Sequence, residues 1–169
     1  IALLNDREDN LWVGTFGGGV SRLDKTLTTY RTADGLVEQN AFRVFEDRDG
    51  VLWVGTDHSG ISRYDGFSWT TFDHNDGLPS SAIRSILQDR DGNLWFGTHA
   101  GVSRYDGHRW TNFGLDDGMS GPMVYASLQD HDGALWFGAN GANRFDGKSW
   151  TVLAKQDGLV HNRIWSMLQ

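Results

Sequence analysis

The sequence predicts an all-β fold, a β-propeller built from four-stranded antiparallel blades of about 42 residues. Two landmarks carry this prediction, because they recur in step along the whole chain. A Leu-Trp pair recurs with spacings of 41, 42 and 41 residues, at Trp12, Trp53, Trp95 and Trp136. An Asp-Gly-Leu or Asp-Gly-Met triplet advances with it, beginning at Asp34, Asp76, Asp117 and Asp157. As a third observation, no segment has a sustained 3.6-residue period, so helices should be absent or trivial.

The third copy of the repeat gives the clearest blade. Its predicted strands are A at 83–88, B at 94–98, C at 102–105 and D at 109–113. Asp89–Gly92 and Asp106-Gly107 supply the hairpin turns, because Asp tolerates turn geometry and Gly allows a positive φ. One such sheet cannot bury both faces alone, whereas blades stacked around an axis can. A β-sandwich would not require so strict a repeat, and an open β-solenoid would have shorter coils.

The repeat divides the chain into blades at about 1–40, 41–81, 82–122 and 123–163, which we call blades 1 to 4. Residues 164–169 align with strand A and are expected to begin a further blade. Because a closed four-bladed ring has no place for this surplus strand, and an open arc would expose two apolar blade faces, we expect a piece of a longer chain in a ring of about seven to nine blades. The alternatives are two copies joined head to tail into an eight-bladed ring and, third, a closed four-bladed ring.

Composition excludes several other classes of protein. The 169 residues include 22 Gly, 2 Pro and 8 Trp, a mixture that suits short strands and tight turns. The net charge of −7 argues against nucleic acid as a partner. No apolar stretch approaches the roughly 18 residues of a membrane span. Without Cys, the chain can form neither disulfides nor thiolate metal sites.

One phrase of the repeat resembles a known family. It reads Asp-x-Asp-Gly-x-Leu-Trp-[Val/Phe]-Gly-Thr, followed by Gly-[Ile/Val]-Ser-Arg-Tyr-Asp-Gly, at 47–56 with 60–66 and at 89–98 with 101–107. Looser copies lie at 6–15 and 130–139. The phrase resembles the two-component regulator propeller repeat. The resemblance implies a non-catalytic sensor propeller from the periplasmic or otherwise extracytoplasmic part of a bacterial hybrid histidine kinase or related regulator, a group with several members associated with glycan breakdown products.

Two copies depart from this pattern. The first lacks the turn Gly within 6–10 and has Leu27 where later copies have Trp69, Trp110 and Trp150. The fourth reads Phe137-Gly138-Ala139 and Asn143-Arg144-Phe145. A histidine-kinase core and a DNA-binding helical module are absent from the sequence, so any signalling output is expected outside these residues.

Strand direction sorts the connections into two ends. The A–B and C–D turns share one end, which we call the repetitive end, and the B–C loops and D-to-A links share the other, the variable end. The repeated turn carboxylates could capture Ca²⁺, but they lack the distal ligands of a typical loop, so a structural turn is favoured. The Arg residues of strand C could clamp a ligand, but an Arg present in every copy more often serves the blade by stacking on Trp or pairing with a turn carboxylate: Arg22, Arg63, Arg104 and Arg144. We assign the four Leu-Trp tryptophans to packing between blades, and the outer-strand tryptophans to packing as well.

The variable end differs from copy to copy, which is what a ligand surface would show, although neutral drift in loops would look the same. Its polar and aromatic residues suit a polar ligand with apolar faces, such as an oligosaccharide. The candidate binding residues are Asp57, His58, His99, Asn140, Arg43, Arg84, Tyr125, His161, Asn162 and Trp165.

Catalysis is the less favoured interpretation. His58, His99 and His161 fall at the variable end near Asp57 and Glu38, but no His pair has metal-ligand spacing. No nucleophile elbow, phosphate loop or metalloprotease motif is present. We therefore expect no catalytic residue, metal or cofactor. Two alternatives stay open, a scaffold that binds protein partners and a propeller lyase or hydrolase.

Overall fold

The computed structural model describes residues 2–168 and places them in four separate four-stranded antiparallel sheets. In each sheet the strand order follows the chain order, so every neighbouring pair is a hairpin. The first strands contact one another in series, β1 with β5, β5 with β9 and β9 with β13. The all-β propeller prediction is confirmed.

Each blade contributes four strands, and those of blade 3 begin and end within one residue of the expected bounds. Blade 1 contains β1 (Ala2–Asn5), β2 (Leu11–Gly14), β3 (Val20–Leu23) and β4 (Leu27–Tyr30). Blade 2 contains β5 (Ala41–Glu46), β6 (Leu52–Thr56), β7 (Ile61–Tyr64) and β8 (Trp69–Phe72). Blade 3 contains β9 (Ile83–Gln88), β10 (Leu94–Thr98), β11 (Gly101–Tyr105) and β12 (Trp110–Phe113). Blade 4 contains β13 (Ala126–Gln129), β14 (Leu135–Ala139), β15 (Gly141–Phe145) and β16 (Trp150–Leu153).

The helical content of residues 2–168 consists of four single-turn 3₁₀ helices, one after each last strand. They are Thr32–Asp34, His74–Asp76, Leu115–Asp117 and Lys155–Asp157. Within the same residues, no helix has the length and apolar character needed to cross a membrane.

The Leu-Trp tryptophans pack between consecutive blades. The Trp53 ring lies 5.7 Å from Phe96 and 6.1 Å from Tyr105, both in blade 3. Trp12, Trp53 and Trp95 are only 3%, 2% and 2% exposed, whereas Trp136, which has no following sheet in the described chain, is half-buried. The next blade therefore completes the burial of each tryptophan.

A carboxylate in the A–B turn satisfies the indole N–H of each buried tryptophan. In blade 3, Trp95 Nε1 donates to Asp89 Oδ2 at 2.7 Å, while Asp89 Oδ1 accepts from the backbone N–H groups of Asp91 and Asn93. The same indole bond recurs in Asp6–Trp12, Asp47–Trp53 and Asp130–Trp136. One side chain thus shapes the turn and removes the cost of burying an indole N–H.

The Asp-Gly-Leu triplet forms the link between blades. Asp76 Oδ2 accepts from the backbone N–H of Asp73 at 2.8 Å and closes a 3₁₀ turn. Gly77 then adopts φ 113°, against Trp110 of the next blade, and Leu78 is 1% exposed in the core between blades 2 and 3. Because Gly tolerates this backbone conformation at no steric cost, the triplet reverses the chain within a few residues.

Residues 164–168 follow the path of a first strand but pair with no sheet in the described chain. The Ile164 N–H donates to Ala139 O at 3.3 Å, and its side chain packs over Gly138 as Ile83 packs over Gly55. The predicted first strand of a further blade stays a prediction here, and Ile1 and Gln169 lie outside the described residues.

Blade 1 carries a strained residue at the turn position where the other blades have glycine. Asp9 has φ 62°, matching Gly50, Gly92 and Gly133 at φ 80°, 92° and 91°. We expect Asp9→Gly to raise the free energy of unfolding by about 0.5–1 kcal/mol, because a left-handed backbone disfavours a Cβ. Urea denaturation measures this, with Glu8→Gly as the control. Since Glu8 has no positive φ, glycine there should destabilise, and an equal gain at both positions would contradict the strain.

The hydrogen bond between Asp and Trp should contribute more to the free energy of unfolding in a blade whose tryptophan is covered by the next blade. We expect Asp89→Ala to lower the free energy of unfolding by about 2–4 kcal/mol, because it leaves Trp95 Nε1 buried without an acceptor. Asp130→Ala should cost less than half as much, since water reaches the half-buried Trp136. Equal losses for the two variants, measured in urea, would contradict burial by the next blade as the cause.

Candidate functional site

The repetitive end is occupied by contacts that serve the blades. Each strand C arginine lies over the tryptophan of its own blade, with Cζ to ring-centroid distances of 5.8, 5.9, 5.9 and 5.9 Å for Arg22, Arg63, Arg104 and Arg144. The outer tryptophans pack on an aromatic residue of strand C, as Trp69 does on Tyr64 at 4.7 Å. Between blades, this end has clefts of about 440 and 530 Å³. Each cleft is lined by these same Arg, Trp and turn carboxylate residues.

At the variable end of blades 2 and 3, a β-bulge sets which residue projects from the start of the first strand. Phe42 and Arg84 are bulge residues, because the register passes from Ala41 to Arg43 and from Ile83 to Ser85. Tyr125 precedes the first paired residue of β13 in the same way. Arg43, grouped with Arg84 in the sequence, therefore lies one register position further along. The residue equivalent to Arg84 in blade 2 is Phe42, which sequence reasoning missed.

Aromatic rings and guanidinium groups lie next to one another near the starts of the first strands of successive blades. Arg84 Cζ lies 4.7 Å from the ring centroid of Phe42. Tyr125 lies 4.3 Å from Trp165 and 6.4 Å from His99. Together with Arg163, whose Cζ lies 5.7 Å from the Trp165 ring, these residues form what we call the rim row: Phe42, Arg84, His99, Tyr125, Arg163 and Trp165.

A polar cluster from blade 2 and the link before it lies beside the rim row. Asp57 accepts a hydrogen bond and ion pair from Arg84, and its Oδ2 is 3.3 Å from His58 Nδ1. Glu38 Oε2 accepts the backbone N–H groups of His58 and Ser59 at 2.9 and 3.0 Å. Burial raises the pKa of Glu38, but hydrogen bonds from the His58 backbone, Asn40 and neighbouring hydroxyl and amide groups outweigh it and leave the pKa below its usual value. The Glu38 carboxyl group therefore favours its negatively charged form.

His99 belongs to the rim row and lies close enough to the polar cluster for the charge of Asp57 to act on it. Within the described residues its Nε2 is buried and has no hydrogen-bond partner. Burial and then the positive charge of Arg84 lower the pKa of His99, while Asp57 opposes them. The lowered pKa favours the neutral imidazole, which has one donor and one acceptor nitrogen.

The structure brings together seven of the ten candidate residues and leaves three in local contacts. Arg43, Asp57, His58, Arg84, His99, Tyr125 and Trp165 belong to the rim row, the polar cluster or their immediate surroundings. In contrast, His161 Nδ1 accepts from the Arg163 N–H at 3.0 Å, Asn162 Oδ1 accepts from the Lys155 N–H at 2.6 Å, and Asn140 bridges to Arg163 through its backbone. These three residues hold the last link in place.

Sequence reasoning missed Phe42 and Arg163 as members of the rim row. The signal for Phe42 was present, because Ala41 aligns with Ile83 and so places Phe42, not Arg43, at the Arg84 position. In residues 2–168, no three His, Cys, Asp or Glu side chains are grouped so that they could hold a metal ion.

Comparison with known families identifies the repeat. A family model described as "Two component regulator propeller" matches residues 35–58, 77–100 and 118–141. Each match begins at the glycine of an Asp-Gly-Leu or Asp-Gly-Met link and runs through strands A and B of the following blade. No curated protein matches the sequence.

Several solved structures share the fold. The extracellular domain of a hybrid two component system from B. thetaiotaomicron superposes with a TM-score of 0.77 at 19% identity, covering 97% of this chain and 30% of that chain. A second such domain from the same organism gives 0.77 at 22% identity, covering 90% and 24%. A catalytically inactive virginiamycin B lyase from Staphylococcus aureus, with quinupristin, gives 0.71 at 19% identity, covering 90% and 54%. The chain thus spans less than a third of the two hybrid-system chains and about half of the lyase.

The electrostatic coupling of His99 is directly testable by NMR titration. We expect the pKa of His99 to rise in Arg84→Gln, which removes a positive charge, and to fall in Asp57→Asn, which removes a negative one. Because the pKa of His99 is lower in the folded state than in the unfolded chain, its contribution to stability is complete above about pH 6.5 and is lost as the pH falls. Shifts of the same sign in both variants would contradict the arrangement.

Proposed function

We propose that this chain, whose repeat matches the family model described as "Two component regulator propeller" over residues 35–58, 77–100 and 118–141, forms part of the extracytoplasmic sensor propeller of a bacterial two-component signalling protein. The fold that it shares with two extracellular domains of hybrid two component systems supports this assignment. We propose further that the chain binds an oligosaccharide or a similar polar ligand at the variable end, without catalysing its conversion.

The observation that carries the ligand proposal is the rim row beside the polar cluster. Sugar rings present apolar C–H faces and polar hydroxyl edges, so they are recognised by aromatic rings together with hydrogen-bonding side chains. Tyr125 and Trp165 form an aromatic pair, and Trp165 is 60% exposed. Asp57, His58 and His99 offer acceptors and donors within the same surface.

The contrast between the two ends of the blades supports the same placement. At the repetitive end, the turn carboxylates and the strand C arginines already have partners within their own blade. At the variable end, the repeat no longer dictates the residues: the B–C loops and strand starts differ in each blade. Side chains that the blades do not require are free to be selected for a ligand.

Removing the aromatic pair should weaken ligand binding. We expect Tyr125→Ala and Trp165→Ala each to reduce affinity for a bound oligosaccharide at least tenfold, about 1.4 kcal/mol, because a stacked ring is lost. Isothermal titration against defined gluco-, xylo-, manno- and galacturono-oligosaccharides measures this. Phe67→Ala is the matched control, since Phe67 is 96% exposed on a C–D turn at the opposite end.

Two results would overturn parts of this proposal. If no oligosaccharide binds, or if Phe67→Ala weakens binding as much as Trp165→Ala, the variable end is not the oligosaccharide site. If mass spectrometry shows that the wild-type chain converts a bound oligosaccharide, the non-catalytic assignment fails, and the lyase or hydrolase alternative takes its place.

A further inference from the structure

A glycine recurs in strand B of every blade, at Gly14, Gly55, Gly97 and Gly138, and one residue of strand A faces it in each blade. The register pairs Ala2 with Gly14, Arg43 with Gly55, Ser85 with Gly97 and Ala126 with Gly138. Three of the four blades place Ala or Ser at this position. Blade 2 alone places an arginine there, so the blade architecture does not require its side chain.

The strand B glycine opposite this position is closely packed in all four blades. A Cβ added to Gly97 would lie 2.3 Å from Ser85 Oγ, and one added to Gly55 would lie 2.6 Å from Ile83 Cγ2 and 3.4 Å from Arg43 Cβ. Arg43 thus lies beside the contact that Ile83 of blade 3 makes with Gly55 and is only half-exposed. An arginine fixed in such a place has lost much of its hydration.

Within residues 2–168, the Arg43 guanidinium has no ion-pair partner. No carboxylate of the described chain lies within 4.0 Å of it, and its hydrogen bond from Nη1 goes to the neutral backbone oxygen of Phe42 at 2.9 Å. Its charged neighbour is Arg84, which is already paired with Asp57. Burial and then the charge of Arg84 lower the pKa of Arg43, so the site is short of negative charge although the whole chain carries −7.

We propose that Arg43, with Arg84 beside it, binds the anionic substituent of an acidic sugar, a carboxylate or sulfate group, within the oligosaccharide site at the variable end. This inference rests on the proposed function and narrows its ligand class to acidic oligosaccharides. The planar guanidinium can donate two parallel hydrogen bonds to such a group. The bound anion would also provide the negative counter-charge that Arg43 does not have within the described residues. Arg84 stacks on the ring of Phe42, the residue before Arg43, and this contact places its guanidinium near that of Arg43.

A matched pair of ligands isolates the anionic group. An α-1,4-linked tri-galacturonate and its uncharged methyl ester differ at the carboxyl groups alone, and isothermal titration at constant ionic strength gives the affinity of each. We expect the wild-type chain to bind the acid at least tenfold more tightly than the ester. Arg43→Ser should remove this preference and leave affinity for the ester within about twofold.

The variants are chosen to remain folded. Serine is the residue that blade 3 carries at the same register, so Arg43→Ser restores the repeat, and thermal melting verifies folding. Arg109→Gln is the control for charge, because Arg109 is exposed on a C–D turn at the opposite end. It should keep the preference for the acid.

The outcomes separate this inference from the proposed function. If acid and ester bind the wild-type chain equally, or if Arg43→Ser keeps the preference, the anion site is refuted while oligosaccharide binding stands. If neither trisaccharide binds, thermal shift with inorganic sulfate decides. Stabilisation of the wild type but not of Arg43→Ser supports the anion site without the trisaccharide, and no difference between them refutes it.

Discussion

The whole architecture depends on the burial of one tryptophan per blade against the next blade. A four-stranded sheet with an apolar side on both faces is not stable by itself, because each face must leave water. Trp12, Trp53 and Trp95 do so only by packing on aromatic residues of the following sheet. Trp136, with no sheet beyond it in the described chain, stays half-buried.

Burial removes the indole N–H from water, which would cost free energy if the group had no acceptor. The turn carboxylate is that acceptor. The same Asp holds the A–B hairpin through backbone N–H groups, so the turn and the core are coupled through one side chain. This coupling explains why Asp and Trp recur six positions apart in every blade. Repetition at this end reflects a structural demand that each blade must meet separately.

The variable end does not contain the Asp–Trp hydrogen bond that each blade needs at the repetitive end. At the variable end, β-bulges help to bring residues of neighbouring blades into one surface. At Phe42 and Arg84 the bulge turns a side chain out of the ladder. Neighbouring blades then place rings and guanidinium groups in a row beside Asp57, His58 and Glu38. Arg43 lies outside this row, one register position further along β5, where its equivalents in the other blades are Ala or Ser.

The sequence by itself determined the fold and the spacing of the repeat and, for blade 3, the strand boundaries to within one residue, because each landmark reports a local requirement repeated four times. It also predicted which end would vary. Tertiary structure alone decided which variable residues meet. His161 and Asn162 looked like Tyr125 and Trp165 in the sequence, but local hydrogen bonds hold them in the last link. The bulge that exchanges Phe42 for Arg43 depends on pairing between strands, and the shortage of negative charge at Arg43 depends on which carboxylates approach it in space. The alignment of Ala41 with Ile83 carried a signal for the first property, whereas the spacing of residues along the chain carries none for the second.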